Sequence, residues 1–409
     1  MNRFAVMLAL LGLAVLPVRA EWTAIGPDGG RLQALAADPS HDSTLYALCL
    51  EDVLFPRLFR TTDAGQNWSN IARMPDSLLT SIAVDPHDAR VIYACGRESR
   101  ICRSTDSGFT WNRIELSGFA SMVMPDPLVR GRVFVAGYCR FSTMQPVVFI
   151  SDDFGQNWQM LSVDSAEGHA MCGDVDPNNA GVIYVGGTNA RLYRSTDSGR
   201  SWQLRNSTLP PTATVQTISV NHANPSLLLA ATTGGLYRST DAGASWALVQ
   251  TETQAWKAGF SPVDAAVAYA IGYDFVARFC VSTDSGVSWT TPSPGTYVGR
   301  TDGLLVGPGP TDAAWLYTNG GARRTLDRGA HWSWVNSGMK IARVLALTNA
   351  PQDSSWLFLS TSDNGIYRSR SGGSDWDRCA EFTGCGNIGA ISAGPGGPLG
   401  VVYALEGSG

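Results

Sequence analysis

Between residues 31 and 404 the chain alternates short apolar, β-rich runs with polar turns. Ser81-Ile82-Ala83-Val84 runs into Asp85-Pro86 and resumes as Val91-Ile92-Tyr93-Ala94; Leu192-Tyr193-Arg194 runs into a polar octet and resumes as Gln203-Leu204. Short runs bounded by Asp, Pro, Ser and Gly read as strands joined by turns. Two kinds of turn recur in strict alternation. One is Asp-Pro or a relative of it, at Asp38-Pro39, Asp85-Pro86, Asp126-Pro127, Asp176-Pro177, Asn224-Pro225 and Ser261-Pro262. The other is an octet of the form S/T-x-D-x-G-x-x-W.

The octet ends on Trp68, Trp111, Trp158, Trp202, Trp246, Trp289, Trp332 and Trp376, at intervals of 43, 47, 44, 44, 43, 43 and 44 residues. Its Asp accepts backbone N–H groups within the turn, its Ser or Thr does the same, and its Gly permits positive φ. The Trp ring is expected to pack between neighbouring sheets. A repeat of this length is one four-stranded propeller blade. Each blade then runs inner strand, Asp-Pro turn, second strand, loop, third strand, octet, outer strand. Alternating antiparallel strands put both turn types on one face and the unequal loops on the other.

The octet resembles the Asp-box of sialidases, sortilin-type receptors, xyloglucan-cleaving glycoside hydrolases and photosystem II assembly propellers, over about residues 31–380. The resemblance implies an all-β fold, a single β-propeller of eight Asp-box blades. It also implies that Asp63, Asp106, Asp153, Asp197, Asp241, Asp284 and Asp327 are structural; Ser371 replaces the eighth. Residues 21–25 read as an orphan outer strand and 390–404 as an orphan first and second strand. Either the termini share an incomplete ninth blade, or the chain is a copy of part of a longer protein.

Residues 1–20 carry Arg3, an apolar run and Val18-Arg19-Ala20, a secretory leader pattern that puts residues 21–409 in the periplasm or outside the cell. No later stretch is long and apolar enough to span a membrane. With a net charge of −5 and 16% charged residues, the mature domain has no basic stripe, which argues against nucleic acid. A monomer is expected. Eight cysteines suit an oxidising compartment. Cys379 and Cys385 bracket a short loop and form the preferred disulfide, Cys95 and Cys102 offer a second, and the rest cannot be paired. No C-x-x-C pair occurs and the five histidines are scattered, so neither a metal nor a cofactor is expected.

The resemblance to sialidases implies an R-I-P motif ahead of the first box, and none is present. Xyloglucan-cleaving relatives use one Asp on each of two facing propellers. Asp52, with Glu51 beside it, falls near such a position, although solvated loop carboxylates are the simpler account of both. The expected function is therefore a non-catalytic binding or assembly module for a protein or polysaccharide, with an extracellular glycoside hydrolase as the alternative. The loop face should carry the ligand through Arg57, Arg97, Tyr138, Arg140, His169, Trp256, Tyr273 and Arg278, because aromatic rings and guanidinium forks bury contact area at small entropic cost.

Overall fold

The computed structural model describes residues 31–50, 55–139, 144–250, 254–274, 276–292, 301–307, 313–318, 321–337, 344–350, 353–361, 365–371, 375–381, 388–394 and 401–406. The leader, the orphan strand at 21–25, Glu51, Asp52, Arg140 and Cys385 lie outside these residues. Eight antiparallel sheets of three or four strands follow in chain order, at 31–73, 79–115, 118–162, 170–204, 215–250, 254–282, 301–334 and 344–381, here called blades 1 to 8. A two-stranded sheet at 388–406 comes last. The fold is an all-β propeller, and each blade is a meander from its inner to its outer strand.

The octets are the turns expected of them. In blade 4, Ser195 Oγ donates to Asp197 Oδ1 at 2.8 Å and accepts the Gly199 N–H at 2.8 Å, while Asp197 takes the Ser201 N–H at 2.8 Å and its hydroxyl at 2.6 Å. The residue between Asp and Gly has positive φ in the first seven boxes, from Ala64 to Arg328, and the Gly after it does too. In the eighth, Ser371 Oγ takes the Asp375 N–H at 2.9 Å where the other boxes offer a carboxylate. In blades 1 to 6 the box is tied to the inner turn of its own blade, as in Ser107 N to Arg90 O and Ser198 N to Gly181 O, both 2.9 Å. Both turn types therefore share a face.

The Asp-Pro aspartates are buried and cap their turns: Asp85 Oδ1 accepts from His87 N at 2.9 Å and Asp88 N at 3.2 Å. In blade 5 that position belongs to Asn221, which accepts from Ala223 N and Asn224 N at 3.0 Å, and not to Asn224 as the Pro spacing suggests. The sulfur pattern also differs from expectation. Cys95 packs in the core between blades 2 and 3, whereas Cys102 packs between blades 1 and 2, so the two thiols point to opposite faces of one sheet and cannot bridge. Cys49, Cys139, Cys172 and Cys280 are buried as well, and no disulfide forms among the described cysteines.

Apolar cores fill the spaces between blades 1 and 2, 2 and 3, 3 and 4, 4 and 5, 5 and 6, and 6 and 7. A seventh core joins blade 1 to blade 7 through Leu32, Phe59, Trp68, Trp315, Tyr317 and Val335. Ring closure is made there. Trp68 Nε1 donates to Val335 O at 2.7 Å, Trp68 N to Ser337 O at 2.7 Å, and Arg324 Nη1 to Ala64 O at 3.0 Å. All eight box-bearing blades are present, but the seam lies between the first and the seventh. The sheet at 388–406 packs on blade 8, and the strand at 21–25 that the sequence sets beside it lies outside the described residues.

Inner strands are stitched to one another. Ser81 Oγ accepts the Val123 N–H at 3.2 Å, Ser219 Oγ the Phe260 N–H at 3.2 Å, and Asp174 Oδ2 the Val220 N–H at 2.8 Å, each across one blade boundary. Burial pushes the Asp174 carboxyl up to about 7 against the opposing effect of its two N–H donors.

Two outcomes are expected. Trp68→Ala removes a side chain only 3% exposed at the seam and should lower the unfolding free energy in urea by about 3–5 kcal/mol, with Trp68→Phe losing about 1 kcal/mol. A loss no larger than that of the half-buried Trp111→Ala would contradict the seam. For Asp174 the folded pKa lies above the unfolded one, so its destabilising effect is absent below pH 4 and complete above about pH 7. Asp174→Asn should thus raise stability at pH 8 by roughly 1–3 kcal/mol and leave it unchanged at pH 4.

Candidate functional site

The loop face between blades 3 and 4 gathers the densest set of chemically distinct side chains. Phe119, near the start of the inner strand Gly118–Pro125, is the cross-strand partner of Tyr138 in the second strand Val133–Cys139. Their rings stack with centroids 4.9 Å apart at 22°. His169, just ahead of the next inner strand Ala170–Val175, stacks on the other side of Tyr138 at 4.3 Å and 15°. All three are half-buried, so they form a fixed row with one side left to be covered. His169 Nε2 lies 2.9 Å from Met144 Sδ, and Met144 itself is half exposed.

Local backbone geometry explains why these rings meet. Inner strands carry one extra residue near their loop-face end, seen as a register shift in blade 3 opposite Ala136 and Gly137 and in blade 4 between Ala170 and Cys172. A bulge of this kind re-aims the residues before it. It also brings a carbonyl onto the neighbouring strand: a Cβ at Gly137 would meet Phe119 O at 2.0 Å, and one at Gly187 would meet His169 O at 1.6 Å. Glycine is required at both positions for Phe119 and His169 to stand where they do.

Beneath the row lies a polar cluster. Asp164 Oδ2 accepts from Tyr193 OH and from Arg191 Nη1, both at 2.5 Å, and Arg191 Nη1 also donates to Tyr193 OH at 2.8 Å. Burial raises the Asp164 carboxyl, but the Tyr193 hydroxyl, the Ala166 N–H and the Arg191 charge outweigh it and hold the group below its ordinary value. The carboxylate is therefore ionised and fully engaged. Burial and the Asp164 carboxylate push the Tyr193 phenol up to about 12. Pro146, Gly168, His169, Gly187, Arg191 and Tyr193 line the narrow crevice that joins cluster and row.

Of the residues anticipated on this face, the structure brings together Tyr138 and His169. Arg97 is exposed at the tip of a blade 2 hairpin, Arg57 is half-buried and Arg278 exposed, each on a different blade. Trp256 and Tyr273 stand in the inner and second strands of blade 6, their side chains outside the described residues. Phe119, Met144, Asp164, Arg191 and Tyr193 were not anticipated. One repeat-aligned signal was available. Arg57, Arg100, Arg191 and Arg278 all stand four residues before a box Ser or Thr. At Arg100 the purpose is again structural: it pairs with the buried Asp76 at 3.2 Å and with Glu115 at 3.0 Å, clamping a third strand to the linker between blades.

The fold and the box turns define a class, the Asp-box β-propellers. The sequence profile of the Sortilin-Vps10 family (sortilin, neurotensin receptor 3) matches residues 56–163 and 146–271, together just over half of the chain, and the protein belongs to that family. Curated relatives include the xyloglucanase Xgh74A of Acetivibrio thermocellus, 26% identical over 190 residues, and a xyloglucanase of a Paenibacillus species, 27% identical over 198 residues. These alignments cover 42% and 44% of this chain but only 19% and 16% of the two enzymes. Among solved structures, an ancestral GH74 enzyme superposes with a TM-score of 0.70 at 16% identity, over 93% of this chain and 59% of that one. YCF48 bound to D1 peptide superposes with a TM-score of 0.55 at 15% identity, over 72% of this chain and 91% of that one. Among the described residues no helix is long and apolar enough to cross a membrane, and no cluster of His, Cys, Asp and Glu could hold a metal ion.

Asp164→Asn removes the charge that holds Arg191 and Tyr193. It should cost about 1–3 kcal/mol in chemical denaturation, and Tyr193→Phe in that background should add little, because the two changes break one network. Fully additive losses would show that the cluster is not a unit.

Proposed function

We propose that this protein is an extracellular glycan-active propeller of the glycoside hydrolase kind, holding a β-glucan chain of the xyloglucan type on its loop face between blades 3 and 4. The observation that carries the reading is the fixed row Phe119, Tyr138 and His169 beside a narrow, mainly apolar crevice that Arg191 and Tyr193 also line. Sugar rings present apolar C–H faces and a rim of hydroxyls; a row of preordered rings suits the first, and the Tyr138 hydroxyl and His169 imidazole can meet the second. The xyloglucanase relatives weigh toward hydrolysis over the non-catalytic module that the sequence favours. The candidate carboxylates for such chemistry are Glu51 and Asp52, which follow the second strand of blade 1 in sequence and lie outside the described residues; hydrolysis needs a pair of carboxyl groups about 5–10 Å apart. The leader at residues 1–20 would deliver the domain to the compartment where such polymers occur. Arg57, Arg97 and Arg278 extend the face for a longer chain, and Arg140, Trp256 and Tyr273, whose side chains lie outside the described residues, are further candidates for it.

A peptide ligand is the second reading, favoured by the likeness to a propeller solved with a bound peptide. In affinity electrophoresis of the secreted protein with xyloglucan, the Tyr138→Ala and His169→Ala variants should each weaken retention by more than about fivefold. A Glu51→Gln, Asp52→Asn variant should retain binding and lose release of reducing ends. Unretarded wild-type protein that instead captures an extended peptide would replace the glycan reading; hydrolysis unaffected by the double variant would displace the catalytic assignment alone.

A further inference from the structure

The face that carries the boxes is built from nearly interchangeable turns, and at one blade boundary it departs from the pattern. Between blades 2 and 3 a cavity of 330 Å³ is lined by Asp88, Arg90, Val91, Arg103, Thr105, Arg130 and Phe154. Arg103 immediately precedes the box of blade 2, where Arg60, Arg194, Arg238, Arg324 and Arg368 stand in other blades; of these Arg238 Nε donates to Ser285 O of the next blade at 2.8 Å and Arg324 Nη1 to Ala64 O across the seam at 3.0 Å, while Arg194 Nε donates to Tyr184 OH of its own blade at 3.0 Å. Here the next box has Phe154 where the others have Ala, Ser, Arg or Gly. Arg103 Nε is buried without an acceptor, as are the Nε atoms of its counterparts Arg60, Arg324 and Arg368. Arg130, from the inner turn of blade 3, lies over the Phe154 ring at 5.8 Å. Neither guanidinium forms a hydrogen bond or ion pair among the described residues.

The charges in the cavity do not cancel. Arg90 is neutralised by Asp88 in a two-point pair, Nε to Oδ1 at 2.9 Å and Nη2 to Oδ2 at 2.8 Å, which removes the only lining carboxylate from play. Three guanidinium groups against one carboxylate leave two positive charges, carried by Arg103 and Arg130. Two planar forks converging on one space, with the exposed Thr105 at its edge, match the geometry of an oxyanion that accepts several N–H bonds at once. Phe154 shields one side, so charge in the cavity is screened less than on an open surface.

We propose that this cavity is a binding site for a doubly charged tetrahedral oxyanion, a sulfate or phosphate group, held by Arg103 and Arg130. The site lies on the face opposite the aromatic row and is independent of the glycan reading. The ligand is either the free ion or the same group esterified to a larger molecule, and the chemistry of recognition is shared.

The test is isothermal titration of the mature chain with sodium sulfate and with sodium phosphate, with ionic strength held constant by sodium chloride. The wild type should give saturable binding. Arg130→Gln, on an exposed turn, should weaken it by about tenfold with an unchanged anion-free melting temperature, and Arg103→Gln with Arg130→Gln should abolish it. A sulfated oligosaccharide that binds more tightly than free sulfate and competes with it would identify an esterified group as the occupant; equal affinity would identify the free ion. Wild-type heats that match the chloride control, or Arg130→Gln affinity equal to wild type, would overturn the proposal.

Discussion

A sheet whose two faces are both apolar has to be covered twice, and a ring of blades is the arrangement that covers every one of them with another. That constraint governs this molecule. Seven inter-blade cores run in sequence, and the seventh exists only because Trp68, Trp315 and Val335 meet across the seam between blades 1 and 7. The indole of Trp68 is buried and donates across the seam, as Trp246 does to Arg205 O across the boundary of blades 4 and 5, whereas Trp111, Trp158, Trp202 and Trp289 are half-buried and donate within their own boxes. Repeat proteins draw their stability from nearest-neighbour interfaces. Closing the ring adds an interface without adding a blade, and it protects what would otherwise be two bare sheet faces.

The same architecture separates stability from recognition. Buried aspartates and box hydroxyls satisfy the turns of one face, and the short inter-strand stitches at Ser81, Asp174 and Ser219 fix the inner ring. Several arginines that look like ligand anchors belong to this framework. Arg100 and Arg191 hold third strands to the linkers between blades, using Asp76, Glu115 and Asp164 as partners. Their charge is already spent locally, and a ligand would have to compete with well-formed ion pairs to engage it. What the framework leaves over on the loop face is the aromatic row and the crevice under it.

The repeat made the fold legible, because an octet that recurs in phase reports its own strand order and turn chemistry. It could not report where the ring closes. Trp68 and Val335 are 267 residues apart, and each sits in a blade whose local sequence resembles its neighbours, so nothing short-range distinguishes a seam from an ordinary boundary. The candidate site was legible only in part for a similar reason. Tyr138 and His169 stood out as an aromatic and an imidazole in unequal loops, but their contact depends on bulges in two inner strands and on Gly137 and Gly187 opposite them. Phe119 was hidden within an apolar run that reads as an ordinary strand. Asp164 looked like any linker carboxylate until Arg191, aligned with Arg57, Arg100 and Arg278 across the repeats, was seen to reach it.

Departures from the repeat are where specificity has to reside, since identical blades can offer only identical surfaces. The loop face departs by length and composition, which is the usual route in repeat scaffolds. The box face departs at the boundary of blades 2 and 3: Phe154 is the one aromatic ring at its box position, and Arg103 and Arg130 line the cavity beside it. A buried guanidinium nitrogen without an acceptor is costly to the fold. The Nε atoms of Arg60, Arg324 and Arg368 lack one as that of Arg103 does, so what sets this boundary apart is the second arginine, Arg130, brought into the same cavity from the adjoining turn. An anion there would be held by side chains that form no ion pair among the described residues, whereas Arg100 and Arg191 are already committed to framework carboxylates.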